Sequence, residues 1–401
     1  MQIRYFTSIY LPHTVSDTSH KHLIPVLMSL PEVSMKITAI EAIPFAIPYR
    51  KPLLFASGEV RVAKHVLVRV HTSDGTVGVA EAPPRPFTYG ETQTGIRAVI
   101  DEIFAPELVG LTLLDREQVR GRLDRTIGNP TAKAAIDMAI WDALGKTLDV
   151  SVSELLGGYT DRLRVSHMLG FDTPAAMVDE AQRMRDEYGI STFKVKVGRR
   201  PVTLDTAVVR ALREHFGGAV ELYVDGNRGW SATESASAMA EMADLGLLFA
   251  EELCPADDVL GRRWLVQQLG IPFIADESAP TPADVTREIL GGSATAINIK
   301  TARTGFTVSQ RVLALAEGLG LDMVMGNQID GQLGTACTLA FGTAFERTTR
   351  HAGELSNFLD MSDDLLTEPL QIVDGYLHRR PGAGIGVDVD PDKLAAYRTD
   401  T

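Results

Sequence analysis

The chain has 401 residues, of which 45% are hydrophobic and 23% charged, and its formal net charge is −13. This composition is typical of a globular protein, and the length exceeds that of one ordinary domain. The acidic balance argues against nucleic acid or an anionic membrane as a partner, because both require a basic surface. The two cysteines, Cys254 and Cys337, form no CxxC pair, and no apolar stretch is long enough to span a bilayer, so we expect a cytoplasmic protein.

The first 34 residues differ from the rest of the chain. They lack a compact apolar signal core with a small-residue cleavage site, and they lead into the strand pattern that begins at Met35. We treat residues 1–34 as an N-terminal extension. Its histidines His13, His20 and His22 are a minor candidate for metal binding.

Residues 35–160 show an α+β pattern that predicts a capping domain. Valines alternate from Val66 to Val79 on both sides of Asp74-Gly75, a dipeptide typical of hairpin turns, which predicts an antiparallel sheet. Apolar residues at helical spacing follow Asn129-Pro130. We expect this helix to end near residues 155–158, at the hinge to the next domain.

From residue 161 to residue 360, polar residues end successive apolar segments at intervals of 24 to 30 residues. They are Lys194 and Lys196, Asp225, Glu251, Asp276, Lys300 and Asp330. The interval matches one strand, one helix and two short loops, which is the repeating unit of a (β/α) barrel. We therefore predict a barrel over residues 161–360 with these side chains at one rim.

The segments between these strands carry helix start and stop signals. Thr173-Pro174 provides an N-cap followed by proline at the first helical position. Ser231 and Glu234 have the spacing of a capping box, and we expect Gly246 to end that helix. Alternation of such helices with the strands predicts parallel α/β topology.

The C-terminal segment, residues 361–401, is too long for one barrel helix and contains a second hairpin signal at Asp374-Gly375. We predict that it returns to the capping domain. The capping domain would then hold loops 55–60 and 86–91 over the barrel mouth, with Phe55 and Tyr89 as candidate substrate contacts.

The polar residues at the rim suggest a chemistry. Three carboxylates without histidine or thiolate partners suit a hard, oxygen-seeking ion such as Mg²⁺ or Mn²⁺. Lysines beside a cation lose part of their preference for the charged form, which makes them usable as acids and bases near neutral pH. Taken alone, each residue has an ordinary structural explanation, such as a helix cap or a solvated strand face. Their shared position in register favours the functional interpretation.

At these positions the chain resembles the enolase superfamily, specifically its muconate lactonizing enzyme subgroup. The motifs that carry the resemblance are Lys194-Val-Lys196, Asp225-Gly-Asn227, Glu251-Glu252, Ala275-Asp-Glu-Ser278, Asn298-Ile-Lys300 and the segment 326–335. The likeness covers residues 35–390. Within the subgroup the chain looks most like muconate cycloisomerases of actinobacterial type, by segments 165–171 and 325–330.

The resemblance implies a fold and a set of roles. The fold would be α/β, a modified TIM barrel (β/α)7β with an α+β N-terminal capping domain completed by the C-terminal tail. The implied metal ligands are Asp225, Glu251 and Asp276. The implied catalytic residues are Lys196 and Lys300 on opposite faces of the substrate, Lys194 as their neighbour, and Asp330. Asn227 and Asn298 join Phe55 and Tyr89 as implied substrate contacts.

The implied reaction is the metal-dependent interconversion of cis,cis-muconate and muconolactone through an enediolate, in the catechol branch of aromatic catabolism. The metal would act as a Lewis acid and a lysine would protonate the enediolate. A small dicarboxylate would be the substrate, no redox cofactor would be needed, and a homo-oligomer, often an octamer, is typical of the family. We place Asp330 at the eighth strand, where such enzymes usually have glutamate.

Two alternatives stay open. The same lysines and carboxylates would serve o-succinylbenzoate synthesis, N-acylamino acid racemisation or dipeptide epimerisation, and the capping loops would decide between them. An epimerase would hold the ammonium group of a dipeptide with an acid such as Asp330. The other alternative is a metal-binding barrel without catalysis, which would bind metal but turn over no substrate.

Overall fold

A computed structural model describes residues 35–55 and 58–400 of the chain, without the side chains of Leu54 and Phe55. The predicted N-terminal extension, with its three histidines, lies outside the described residues. The described chain is a mixed α/β fold, in which an antiparallel sheet precedes a barrel of parallel strands.

The antiparallel sheet consists of β1 (Ile37–Phe55), β2 (Gly58–Thr72) and β3 (Val77–Ala82). The predicted turn connects β2 and β3: Gly75 has a φ of 87°, and the Asp74 carboxylate accepts a hydrogen bond of 3.1 Å from the Thr76 amide. A left-handed φ of this kind is accessible to glycine at no steric cost. The hairpin expected from the alternating valines is therefore present.

Helices cover this sheet. They are α1 (Gln93–Val99), continued by a π-helical turn (Ile100–Phe104), α2 (Ala105–Leu108), α3 (Arg116–Leu123), α4 (Pro130–Leu148) and α5 (Val152–Leu156). Helix α4 packs so closely on β3 that a Cβ atom at Gly78 would lie 2.0 Å from the Ala139 carbonyl oxygen. Glycine at this position is what permits the contact.

The expected end of the long helix near residues 155–158 is wrong. Helix α4 ends at Leu148, and Asp149 follows with a left-handed φ of 53°. Ser151 and Glu154 then form a capping box that starts the separate helix α5. Two reciprocal hydrogen bonds at a new helix start explain why the chain breaks here.

The barrel has eight strands: β4 (Arg162–Leu169), β5 (Thr192–Lys196), β6 (Glu221–Asp225), β7 (Ala250–Glu251), β8 (Phe273–Ala275), β9 (Ala296–Ile299), β10 (Asp322–Met325) and β11 (Gly353–Glu354). Neighbouring strands from β4 to β10 pair in parallel, and β11 pairs in parallel with β4. A Cβ atom on Gly353 would lie 3.2 Å from Met325 Cβ, so β11 also approaches β10 and completes the ring. The predicted fold class is confirmed.

Seven helices connect these strands: α6 (Pro174–Tyr188), α7 (Thr203–Phe216), α8 (Ala232–Glu241), α9 (Val259–Gln268), α10 (Pro282–Gly291), α11 (Thr301–Gly318) and α12 (Gln332–Gly342). Short 3₁₀ turns lie at Gly217–Ala219, Arg347–Thr349 and Asn357–Asp360.

The predicted helix starts agree with these bounds. The Thr173 hydroxyl caps α6, and Ser231 with Glu234 forms the expected capping box of α8. Gly246 does not end α8, which stops at Glu241. The chain leaves the helix early through a tight turn in which the Leu245 amide donates to the Met242 carbonyl.

The C-terminal segment forms β12 (Ile372–Val373), β13 (Tyr376–His378) and α13 (Pro391–Tyr397). Asp374 and Gly375, with φ of 51° and 78°, make the hairpin turn, and β13 pairs antiparallel with the start of β4. The Thr399 amide donates to the Pro44 carbonyl at 2.9 Å, which ties the end of the described chain to β1. The described residues belong to one compact unit, so the domain boundaries stay a prediction.

None of the helices in the described part of the chain combines the length and the apolar content needed to cross a bilayer.

Candidate active site

Six of the predicted residues lie at the carboxyl ends of neighbouring barrel strands. They are Lys194 and Lys196 on β5, Asp225 on β6, Glu251 on β7, Asp276 directly after β8 and Lys300 directly after β9. All six are buried, from 0% exposed for the carboxylates to 9% for Lys300. This end of a (β/α) barrel is where its enzymes carry their catalytic groups. The structure brings the six side chains together.

Lys194 lies at the centre of the group. Its Nζ is 2.9 Å from Asp225 Oδ2, 3.0 Å from Glu251 Oε1 and 3.1 Å from a carboxylate that sequence reasoning missed, Glu354 Oε2. Contacts with three carboxylates hold this ammonium group inside the barrel, where an unpaired charge would be strongly disfavoured.

The other two lysines each form an ion pair with one carboxylate. Lys196 Nζ lies 2.6 Å from Asp225 Oδ2 and donates to Asn227 Oδ1 at 2.8 Å. Lys300 Nζ contacts Asp276 Oδ2. The two lysines therefore approach the site from β5 and from β9.

Charge pairing sets the protonation of these groups. Burial lowers the pKa of Lys194 and Lys300, but the neighbouring carboxylates outweigh it and raise the pKa of both above the ordinary value. Burial raises the pKa of Asp225 and Asp276, and the lysines and Arg303 outweigh it, so both stay ionised. Burial, reinforced by repulsion from Asp225 and Asp276, raises the pKa of Glu251 to about 8. Lys194 and Lys300 are thus held in the protonated, charged form.

Glu354 occupies the place that we expected for Asp330. It lies on β11, the eighth barrel strand, and it is 3% exposed. Lys194 and the other site lysines lower its pKa against the effect of burial. A two-residue strand leaves no hydrophobic pattern to recognise, and only continuation of the regular spacing past β10 points to it.

Asp330 lies in the loop between β10 and α12, so its placement at the eighth strand is wrong. The loop is held by Glu81 of β3, whose carboxylate accepts from the Gly331 amide at 2.9 Å and the Gly334 amide at 2.8 Å. Asp330 is fully buried, and its Oδ2 has no hydrogen-bond partner. Burial, then repulsion from Glu81, raises the pKa of Asp330 well above its usual range.

This environment makes the contribution of Asp330 to stability depend on pH. A carboxyl whose pKa is raised on folding binds its proton more tightly in the folded state, so folded-state stability falls as pH rises from the unfolded pKa of about 3.9. We expect the wild type to lose stability relative to Asp330→Asn between about pH 5 and about pH 8. Urea unfolding of both proteins at both pH values measures this, with the exposed Asp257→Asn as control. A stability difference that is the same at both pH values contradicts the prediction.

The predicted substrate contacts have different partners around the rim. Asn227 bridges Lys196 and Glu277, donating to Glu277 Oε1 at 3.0 Å. Asn298 lies behind the rim on β9 and donates to Glu251 Oε1 at 2.8 Å. Tyr89 Oη accepts a hydrogen bond from Arg303 at 2.7 Å. The side chain of Phe55 lies outside the described part of the structure, so its role stays a prediction.

A buried ion pair supports the segment that carries Asp276. Glu252 Oε1 accepts from the Asp276 amide at 2.8 Å, and Glu252 Oε2 accepts from Arg262 Nη1 at 2.6 Å. Arg262 Nη2 also donates to Ser278 Oγ at 2.8 Å. Glu252 and Arg262 are both fully buried. Sequence reasoning treated Glu252 only as the neighbour of a metal ligand and missed Arg262.

Asp225, Glu251 and Asp276 are the predicted metal ligands. In their present conformations, no three Asp, Glu, His or Cys side chains among the described residues are arranged to hold a metal ion, because lysine ammonium groups contact these carboxylates directly. The donor set still fits a hard cation, since it offers only oxygen. Glu251 Oε2 is buried without a hydrogen-bond partner, which a cation would correct.

The cavity at this rim is small, about 30 Å³. Its lining includes three cationic side chains, Arg85, Lys196 and Lys300. Arg85 also lines a larger pocket of about 620 Å³ beside β2, together with Gln328 and Ile329. Ile329 has a left-handed φ of 62°, which is rare for a β-branched residue and typical of strained functional loops.

Comparison with known proteins gives consistent matches. The family model described as mandelate racemase / muconate lactonizing enzyme, N-terminal domain, matches residues 36–157, and the model described as enolase C-terminal domain-like matches residues 176–393. The fold is similar to a crystal structure of muconate lactonizing enzyme from Mycobacterium smegmatis complexed with muconolactone. The two share 80% identity and a TM-score of 0.90, over 91% of this chain and 100% of that one.

Two more distant relatives differ from each other in activity. Muconate cycloisomerase 1-2 of Acinetobacter lwoffii is 30% identical over 92% of this chain and 96% of its own length. L-Ala-D/L-Glu epimerase of Bacillus subtilis is 31% identical over 79% of this chain and 87% of its own length.

Proposed function

This chain belongs to the mandelate racemase / muconate lactonizing enzyme family of the enolase superfamily, and we propose that it interconverts cis,cis-muconate and muconolactone. The observation that carries the proposal is the 80% identity, over the full length of that relative, to a muconate lactonizing enzyme complexed with muconolactone. The epimerase reaction is the weaker candidate, because that relative shares only 31% identity with this chain. In this assignment the chain is an isomerase of aromatic catabolism.

Two lysines flank the reacting carbon in this proposal. Lys300 and Lys196 approach the cavity from β9 and β5, and we assign to one of them transfer of the single proton that the reaction moves at the carbon next to a substrate carboxylate. The other faces the same carbon from the opposite side, where its ammonium group stabilises the negative charge that develops. Lys194 is enclosed by Asp225, Glu251 and Glu354, so we assign it to fixing the charge balance of the site rather than to proton transfer. General acid catalysis of this kind contributes about 10²- to 10⁴-fold in rate.

Enzymes of this family depend on a divalent metal ion. Asp225, Glu251 and Asp276 would hold it, as Mg²⁺ or Mn²⁺, because their carboxylates are the oxygen donors of the site. When bound, the ion supplies Lewis-acid stabilisation of the negative charge that develops on the substrate carboxylate.

The cavity lining has three cationic side chains, Arg85, Lys196 and Lys300, against the two carboxyl groups of Glu277 and Glu354, and we propose that it accepts a dianionic substrate. Arg85 lies between β3 and α1, and we assign to it the second carboxylate of muconate. This carboxylate is the group that adds within the same molecule to close the lactone ring, so its orientation decides whether the ring closes. We also propose that the protein is cytoplasmic and forms a homo-oligomer, with an octamer as the family precedent.

The test is loss of the conjugated-diene ultraviolet absorbance of cis,cis-muconate. Protein stripped of metal by a chelator is expected to be inactive, and added Mn²⁺ or Mg²⁺ is expected to restore rapid loss of absorbance with lactone as product. L-Ala-L-Glu, assayed for epimerisation with the same protein, is the comparison substrate.

The outcomes separate the candidate functions. Bound Mn²⁺ with no loss of absorbance but with epimerisation of the dipeptide would replace the lactonizing reaction by the epimerase reaction. Bound Mn²⁺ with neither activity would leave N-acylamino acid racemisation, o-succinylbenzoate synthesis or a barrel that binds metal without catalysis.

A further inference from the structure

Arg303 makes a set of buried contacts that the proposed reaction does not use. It lies in the first turn of α11, three residues after Lys300, and it is 4% exposed. Its Nη1 donates to Asp276 Oδ1 at 2.6 Å and to Tyr89 Oη at 2.7 Å, and its Nη2 donates to the Asn298 carbonyl at 2.9 Å. One guanidinium therefore joins a rim carboxylate, a barrel strand and the capping segment.

These contacts divide the Asp276 carboxylate between two cations. Oδ1 faces Arg303 and Oδ2 faces Lys300. The backbone next to this carboxylate is also fixed, because the Asp276 amide donates to Glu252. The guanidinium is planar and rigid, and the Asn298 carbonyl holds it in place, so it sets the rotation of the carboxylate in a way that a flexible ammonium group does not.

Tyr89 connects the same arginine to the cap. It lies between β3 and α1, in the segment whose residues Arg85 and Thr88 line the catalytic cavity. The guanidinium carbon of Arg303 is 5.9 Å from the centre of the Tyr89 ring, so the tyrosine meets the arginine through both its hydroxyl and its ring. Displacement of the capping segment would remove one of the two hydrogen-bond acceptors of Nη1.

We propose that Arg303 is a positioning residue that orients the Asp276 carboxylate toward Lys300 and the metal ion. We also propose that Tyr89 makes this orientation depend on the position of the capping segment. The kinetic part of this inference rests on the proposed reaction, whereas the metal-binding part rests only on the proposed metal ligands. Groups that hydrogen-bond to a metal ligand typically account for about 10- to 100-fold in metal affinity or activity.

Three variants test the proposal. Arg303→Lys keeps the positive charge and loses the planar guanidinium with its two donor nitrogens. Arg303→Met loses the charge as well, and Tyr89→Phe removes one hydroxyl. Arg311→Met, on the exposed side of the same helix with Glu117 as its partner, is the matched control. For each protein, the dissociation constant of Mn²⁺ is measured by calorimetry without substrate. The kcat and KM for cis,cis-muconate are measured at saturating Mn²⁺.

We expect Arg303→Lys and Arg303→Met to weaken Mn²⁺ binding by about 10- to 100-fold, and Arg311→Met to leave it unchanged. Tyr89→Phe should bind Mn²⁺ within about twofold of the wild type and lower kcat/KM for muconate by about tenfold. Circular dichroism checks folding. If Arg303→Met does not fold, the Mn²⁺ constant of Arg303→Lys decides the positioning role, and Tyr89→Phe tests the coupling to the cap independently.

Wild-type Mn²⁺ affinity in both folded arginine variants would overturn the positioning role. Unchanged kcat/KM in Tyr89→Phe would overturn the coupling to the cap. If the wild-type protein does not act on muconate, the proposed function fails, and the Mn²⁺ constants alone still decide the role of Arg303.

Discussion

Lys196→Ala and Lys300→Ala are each expected to lower turnover of cis,cis-muconate by about 10²- to 10⁴-fold, because one would remove the lysine that transfers the proton and the other the ammonium group that stabilises charge on the opposite face of the same carbon. We expect metal binding to survive, since the carboxylates at the rim remain. The measurement is kcat by loss of diene absorbance at saturating Mn²⁺, with calorimetric Mn²⁺ binding beside it. Lys36→Ala, at an exposed position at the start of β1, is the control variant.

The two lysine variants should also differ from each other. Muconolactone incubated with enzyme in D₂O exchanges the proton next to its carboxylate through the lysine on the face that protonates it. One variant should therefore lose both exchange and turnover, whereas the other should lose turnover and keep exchange. Full turnover in both single variants would contradict the assignment of the two lysines.

Arg262→Met is expected to lower the free energy of unfolding by about 3–5 kcal/mol. The substitution leaves the Glu252 carboxylate fully buried without its charged partner, and desolvation of an uncompensated ion is the cause of the loss. Because Glu252 also accepts from the Asp276 amide, we expect the backbone at Asp276 to become less rigid in this variant. Urea unfolding measures the change.

Two further proteins isolate the cause. Arg350→Met breaks an exposed pair with Glu346 and should change stability far less, since solvent screens that pair. The double variant Arg262→Met/Glu252→Met removes both charges and should recover part of the loss. A double variant as unstable as the single one would assign the loss to packing, to Glu288, which also pairs with Arg262, or to the hydrogen bonds that Glu252 accepts from the Asp276 and Ser278 amides, rather than to the unpaired Glu252 charge.

Local signals in the sequence are enough to predict the parts of the fold that are made by neighbouring residues. The threonine and serine caps of α6 and α8 were predicted correctly because a cap needs only three or four adjacent residues. The rim residues were found for a related reason, since regular spacing in a barrel places strand ends at one face.

Features that depend on distant contacts were missed. Glu354 lies on a strand of two residues that pairs with β4, and nothing local marks it as part of the barrel. Asp330 was placed one strand too late because it lies beyond the end of β10, in a loop that is held by Glu81 of another sheet. The raised pKa of Lys194 could not be predicted from sequence, because it depends on three carboxylates that three separate strands contribute. Arg303 and Arg262 reach the site through contacts that no spacing in the sequence reveals.

The volume of the catalytic cavity has a consequence for the reaction cycle. A cavity of about 30 Å³ is far smaller than the roughly 300–1,000 Å³ of typical ligand pockets, and it is too small for a six-carbon diacid. We therefore expect entry of muconate to displace Arg85, Gln328 and Ile329, which line both this cavity and the neighbouring pocket. Each turnover would then include an entry step and an exit step, and such a step sets the catalytic rate wherever it is slower than proton transfer.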